Sequence, residues 1–255
     1  VELTAKPDPG NAGGGSKKML TNHSPPRVVF CYWGNTMSRI VIFANGKLNQ
    51  PDLLKAQLHS TDRIFCANGG TLHALTLGLT PNAIIGDLDS LPPETVAHMD
   101  AKGVAIHRHP ARKDFTDLEL ALQLAVAEKP DEILLVTALG GRLDQMLANI
   151  LLLTRPEYAP VLLTLIDGPY WARLLRAHQS LEIHGQPGDT LSLVPLTPTV
   201  SDVSLRGVEW PLERTTLLLG STLTISNTLA RSLVTVQTGE GLVLVVHFDK
   251  NKIAE

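Results

Sequence analysis

The sequence predicts two folds in series: an N-terminal, mostly parallel α/β sheet domain, then a C-terminal all-β, sandwich-like domain. Two observations carry that reading. From Arg39 to Ile166, short apolar runs alternate with stretches of helical spacing, which implies a parallel sheet covered by helices on both faces. From about Gly168 onward, β-type runs follow one another between turns with no helical pattern among them. The change of rhythm places a boundary near Gly168 to His178, with domains over 37–168 and 169–255.

Taken in order, Arg39 to Ala44 is an apolar strand stopped by Asn45-Gly46, a turn pair. Pro51 to Leu58 has helical spacing. Arg63 to Ala67 is the next strand, halted by Asn68-Gly69-Gly70, and Thr71 to Leu77 returns to helix. Ala83 to Ile85 is a third strand. Ser90 is expected to cap the following helix, with Pro92 in its first turn and Gly103 just past its end. Val104 to His107 is a fourth strand. Thr116 and Glu119 have capping-box spacing, so a helix should run from Thr116 to about Glu128 with Leu118, Ala121, Leu122 and Ala125 inward. Glu132 to Val136, a helix over Arg142 to Leu153, and Val161 to Ile166 complete the first domain. Beyond it, strands are expected at Leu181 to His184, Thr190 to Val194, Val203 to Arg206, Thr215 to Leu219, Leu233 to Gln237 and Leu242 to His247.

The chain has 255 residues, 44% of them hydrophobic and 18% charged, an ordinary globular balance. A formal net charge of −3 gives no support to a nucleic-acid or anionic-membrane binder. Apolar runs such as Val161 to Ile166 fall far short of a membrane span. Two cysteines, Cys31 and Cys66, make neither a disulfide framework nor a Cys-rich zinc site, and fit a reducing, cytoplasmic setting. Residues 1–36, rich in Pro, Gly and Asn, are expected to be a disordered leader without the marks of a signal peptide, with folding beginning at Met37.

Chemistry concentrates at three strand-to-helix junctions: Asp87 with Asp89, Asp114 with Asp117, and Arg142 with Asp144. Asp87 and Asp89, one residue apart on extended backbone, should point the same way. In a parallel sheet all three junctions fall on the edge where ligands bind, so the six side chains should share one crevice. Two carboxylates about 4 Å apart repel by roughly 4 kcal/mol at an effective dielectric of 20. Four together call for a cation, and oxygen ligands without a histidine set favour Mg²⁺ over zinc. A polyphosphate would bring it. Asn68-Gly69-Gly70 and Gly140-Gly141 open helices whose N–H groups suit phosphate, while Arg142 and Lys113 add positive charge. No Walker loop or complete Rossmann glycine fingerprint is present at these junctions, so the phosphate site would be spread over several loops.

In order and spacing, Ala67-Asn68-Gly69-Gly70, Gly86-Asp87-Leu88-Asp89-Ser90, Lys113 to Glu119 and Gly140-Gly141-Arg142-Leu143-Asp144-Gln145 resemble thiamine pyrophosphokinase. Gly207-Val208-Glu209-Trp210 and Ser221 to Asn227 resemble that family's thiamine-binding segments, and the likeness covers roughly Arg39 to Phe248. The resemblance implies transfer of the pyrophosphoryl group of ATP to thiamine, giving thiamine diphosphate and AMP, in a homodimer whose sites lie between subunits. It implies Asp87, Asp89 and Asp117 as Mg²⁺ ligands with Asp114 close by. Asn68, Gly69, Gly70, Lys113, Gly141, Arg142, Asp144 and Gln145 would serve ATP, with Asn149 behind them. Trp210, Thr224, Ser226 and Asn227 would hold thiamine.

One departure matters. The family commonly carries an acid where this chain has Asn68, and the expectation is altered affinity with activity kept. Two competing functions remain at this point: a diphosphokinase for another alcohol, such as a hydroxymethyl pterin, and a nucleotide- or thiamine-sensing module without turnover. Trp210 with Ser226 favours thiamine, and the intact acids favour turnover.

Overall fold

The computed structural model describes residues 27–28 and 38–252. In chain order the elements are β1 (Arg27–Val28), β2 (Arg39–Phe43), α1 (Pro51–Ala56), β3 (Arg63–Ala67), α2 (Gly70–Thr76), β4 (Ala83–Gly86), α3 (Pro93–Ala101), β5 (Ala105–Arg108), α4 (Asp117–Ala127), β6 (Glu132–Val136), α5 (Leu143–Leu152) and β7 (Leu162–Asp167). There follow β8 (Tyr170–Leu175), β9 (Ser180–His184), β10 (Thr190–Pro195), β11 (Thr199–Arg206), β12 (Leu212–Leu218), β13 (Asn227–Thr228), β14 (Leu233–Gln237) and β15 (Val243–Phe248). None of the described helices is long and apolar enough to cross a membrane.

Alternate side chains of β2 enter opposite cores. Ile40 and Ile42 meet Leu118, Ala121, Leu122 and Ala125 of α4. Val41 and Phe43 meet Leu54 of α1, Ala74 of α2 and Met99 of α3. A strand buried on both faces by aliphatic residues is what a covered parallel sheet requires. Six parallel strands run in the order β7-β6-β2-β3-β4-β5. The chain winds outward from β2 to β5, then returns to the other side of β2, so its direction reverses between β2 and β6. Clefts form at such a switch point, outside the carboxyl ends of the strands.

The same sheet does not stop at β7. β8 pairs antiparallel with it, and β15, β10 and β13 continue outward to give ten strands. A second sheet, β1-β9-β14-β11-β12, packs on that extension around Leu181, Leu193, Val203, Val236 and Val245. The C-terminal unit is thus a sandwich that borrows one of its sheets from the α/β unit. Where parallel pairing gives way to antiparallel, Arg173 on β8 donates to Thr164 at 2.8 Å and to Glu132 at 2.9 Å, tying β8, β7 and β6 together.

Several local expectations are corrected. Ser90 does not cap α3. Pro92, pushed away from helical backbone by Pro93 after it, takes φ −57° and ψ 136° and becomes the N-cap. The Ser90 hydroxyl donates instead to Asp89 Oδ1 at 3.0 Å. Thr116 does cap α4, accepting from the Glu119 N–H at 3.2 Å. The return half of the capping box is missing, because the Glu119 carboxylate accepts from Arg155 at 2.6 Å. Within the expected leader, Arg27–Val28 is a two-residue strand on the β9 edge. The rest of that leader, Cys31 included, and Met37, the expected start of folding, lie outside the described residues.

Candidate active site

A cleft of about 600 Å³ opens at the carboxyl ends of β2, β3, β4 and β6, closed on one side by the loop that leads into α4. Asn68, Asp87, Asp89, Lys113, Asp117, Gly141, Arg142 and Gln145 all line it. Asp114 and Asp144 are exposed and outside its lining, so four of the six charged side chains expected to share a crevice do so.

The centre of the cleft is an amide. Asn68, in the left-handed region at φ 46°, is only 5% exposed. Its Nδ2 lies 2.8 Å from Asp87 Oδ1, 2.9 Å from Asp89 Oδ1 and 3.1 Å from Asp117 Oδ2. Its Oδ1 is buried and accepts no hydrogen bond. Asp117 Oδ1 takes the Lys113 ammonium at 2.5 Å. The donated amide hydrogen, with help from Ser90, holds the Asp89 carboxyl below the usual carboxylate range.

Asp87 and Asp89 converge for a different reason from the one the alternation rule supplies. β4 ends at Gly86, and Leu88 between the two acids sits at φ 65°. A bulky residue in that region is strained, and burial of Leu88 beside Leu91 and Met99 holds it there. The kink, not extended backbone, gathers the two carboxylates. Gly86, at φ 147°, is equally constrained, since a Cβ there would stand 2.9 Å from Asp117 Cγ.

The glycine pairs divide. A Cβ on Gly70 would come within 2.1 Å of Phe43 O, and one on Gly69 within 2.3 Å of Asn45 Oδ1. Their smallness lets α2 seat against β2, and neither lines the cleft. Gly141 has open space around it and does line the cleft. Arg142, the N-cap of α5, is exposed and holds Asp144 through two contacts of 3.1 and 2.5 Å. That guanidinium is the largest influence lowering the Asp144 carboxyl. Asn149 is buried and donates to Ala138 O at 2.7 Å, fixing α5 to the loop after β6. Cys66 is fully buried, and burial pushes its thiol up, out of the reactive range.

Sequence reasoning missed Asn45, Gly46, Lys47 and Phe115, which also line the cleft. Gly46 and Lys47 donate to Thr137 O at 2.8 Å and Leu139 O at 2.9 Å, bridging the switch point. Asn45-Gly46 was legible as a turn, and its place at the end of a central parallel strand was the available signal.

The four thiamine-segment residues lie on the sandwich, outside this cleft. Asn227 is buried and grips Trp210 from both sides, accepting from its N–H at 3.2 Å and donating to its carbonyl at 2.7 Å. Held by its backbone, Trp210 presents an indole that is 61% exposed. Thr224 is buried and donates to Leu193 O at 2.6 Å, whereas Ser226 is exposed.

Among the described residues, no three Asp, Glu, His or Cys side chains group closely enough to hold a metal by themselves. The three carboxylates ring the Asn68 nitrogen at hydrogen-bond distance, not an ion, Mg²⁺ being the one such oxygens suit. The donor set nevertheless fits that ion: hard oxygens, more negative charge than Lys113 balances, and a spare buried amide oxygen.

Acids and bases gathered at the carboxyl edge of a parallel sheet, with a β sandwich built on its flank, define an α/β protein with a charged cleft and an appended β module. The chain matches the family described as thiamin pyrophosphokinase, catalytic domain, over residues 54–163, and thiamin pyrophosphokinase, vitamin B1 binding domain, over residues 178–243. The thiamine pyrophosphokinase of Bacillus subtilis (strain 168) is 30% identical over 177 residues, which span 69% of this chain and 83% of that protein. Thiamine pyrophosphokinase 1 of Oryza sativa subsp. japonica is 25% identical over 96% of this chain and 93% of its own length. The crystal structure of the Bacillus subtilis enzyme superposes with a TM-score of 0.75 at 27% identity, covering 84% of this chain and all of that one. The chain belongs to the thiamine pyrophosphokinase family.

Proposed function

We propose that this chain, as an ATP:thiamine diphosphotransferase, binds ATP in the cleft after β2, β3, β4 and β6 and offers thiamine to it from the sandwich. The hydroxyethyl oxygen of thiamine attacks the β-phosphorus, the bond between the α-phosphate and the β-phosphorus breaks, and AMP leaves. Asp87, Asp89 and Asp117 hold Mg²⁺, which when bound neutralises charge on the ATP phosphates. Lys113 and Arg142 donate to phosphate oxygens, and Gly141, with no side chain, lets the chain approach them closely. Such a transfer is mostly positioning and asks little of a base. Asp117, inside the cleft, accepts the alcohol proton late, in preference to Asp114 outside it.

Trp210 stacks on the cationic thiamine ring, a contact worth about 0.5–2 kcal/mol. Its exposure, away from the cleft of its own chain, supports a homodimer in which one subunit's cleft meets the other's Trp210. Uncovered apolar side chains favour the same assembly: Leu218, Leu219, Leu223 and Ile225 around the thiamine segments, and Leu143, Leu147 and Leu151 along α5.

The observation that carries the reading is the convergence of Asp87, Asp89 and Asp117 on one atom, the Asn68 nitrogen. Incubation with ATP, Mg²⁺ and thiamine should yield AMP and thiamine diphosphate in equal amounts. Asp87→Ala and Asp89→Ala should each lower kcat by more than about a hundredfold. A change below about tenfold in both removes them from the catalytic machinery.

A further inference from the structure

We propose that Asn68 is a reversible amide at the centre of the acid cluster: its NH₂ group braces the three carboxylates without metal, and a half-turn about Cβ–Cγ brings Oδ1 to the cation when one enters. The inference rests on the reading that Asp87, Asp89 and Asp117 hold Mg²⁺, and it adds a neutral fourth oxygen from this chain.

A side-chain amide has two hydrogens and one acceptor oxygen. Here three carboxylate oxygens lie within 3.1 Å of the nitrogen, one more than its hydrogens can serve, while the oxygen is buried with nothing to accept. The orientation follows from charge. With no cation present, a carbonyl oxygen aimed at three carboxylates would be repelled, so the nitrogen must face them. With a dication among the carboxylates the preference reverses, because the NH₂ hydrogens would then face the metal. In either state one end of the amide lacks a partner, a comparable cost both ways. The direction of the amide is therefore set by what stands at the centre of the cluster.

Geometry adds a second strand. Carboxylates spaced by an N–H lie at 2.8–3.1 Å from the shared point. Direct ligation of Mg²⁺ needs 2.0–2.1 Å. A half-turn puts Oδ1 in the nitrogen's place, and carboxylate oxygens about 2.9 Å from it match the edge of an octahedron around Mg²⁺ at that bond length. The backbone permits this without rearrangement, since Asn68 is anchored independently: its N–H donates to Ile85 O at 2.8 Å and its carbonyl accepts from Thr71.

The test follows the amide and the metal without relying on turnover. In the full-length protein labelled with ¹⁵N-asparagine, the Asn68 side-chain resonances, identified by their loss in Asn68→Gly, should exchange slowly with solvent when metal is absent. Saturating Mg²⁺ should shift both hydrogens and speed their exchange. Calorimetric titration with Mg²⁺ should show affinity falling about tenfold or more in Asn68→Gly and rising by a similar factor in Asn68→Asp. Glycine is the informative replacement because it accepts φ 46° without strain, which separates loss of the amide from damage to the loop. Unmoved resonances at saturating Mg²⁺, or Asn68→Gly binding Mg²⁺ as tightly as the unaltered chain, overturn the proposal alone. Failure of the unaltered chain to bind Mg²⁺ overturns it together with the acid-site reading.

Discussion

Gly86 shows how little room the acid cluster leaves. Its φ of 147° is closed to residues with a Cβ, and that Cβ would press on Asp117 Cγ at 2.9 Å and Asn68 Cβ at 3.0 Å. Gly86→Ala should therefore cost about 1–3 kcal/mol of stability in urea unfolding. It should also lower kcat/KM by about a hundredfold, because a shift of an ångström at reacting groups has that effect. Normal activity in a destabilised variant would show that Asp117 needs no such placement. At this scale the sequence disclosed residue types and hid their relations. Asp87, Asp89 and Asp117 were legible from spacing at strand ends. Asn68 read as part of a phosphate loop, since nothing in one sequence reveals that a left-handed backbone turns its amide toward acids from two other loops. Leu88 was hidden likewise, because its strain exists only in the pocket that buries it.

Elements were the more legible level, because hydrophobic period and capping chemistry are local. β3, β6 and β14 have the ends expected of them, and α4 starts at its threonine cap. Thr116→Ala should cost about 1 kcal/mol, read as a lower urea midpoint, and loosen the first turn that carries Asp117. An unchanged midpoint would mean that the cap contributes nothing. β8 was overlooked: Tyr-Trp-Ala-Arg-Leu-Leu does not alternate cleanly, since Arg173 is used inside the sheet to hold Glu132 and Thr164. β15 is displaced by one residue from the expected Leu242 to His247, and the burial of its histidine is not legible from the alternation. His247 is buried, stacks on Trp171 with ring centres 5.3 Å apart, and lies 3.2 Å from Asp189. Neither ring nitrogen makes a well-directed hydrogen bond, and burial outweighs Asp189, holding the imidazole below its ordinary 6.5. The unfolded chain thus takes up this proton more readily than the folded one. Stability should fall as pH drops below about 6.5 and level off once the folded-state pKa is passed. His247→Gln should flatten that slope in unfolding midpoints taken from pH 7.5 to 5. An identical slope in the variant would assign the acid sensitivity elsewhere.

For the whole molecule, the decisive fact is that a ten-stranded sheet joins the acid-lined cleft to the sandwich, so the two halves are tied to each other through β7, β8 and Arg173. A rigid frame of this kind cannot fold Trp210 over its own cleft by hinge motion between the halves. On the proposed reading thiamine lies between the acids of one copy and the indole of another, and a two-fold dimer provides that pairing twice over. Mixing tests this directly. Asp89→Ala and Trp210→Ala chains, each impaired alone, are combined in equal amounts, unfolded and refolded together. Half of the resulting dimers contain one chain of each kind. In these, one site carries both lesions and the other carries neither. The mixture should recover about a quarter of the unaltered activity at limiting thiamine, well above the mean of the two parents. Recovery no greater than that mean would place acids and indole of each working site on a single chain, and the shared-site dimer would have to be given up.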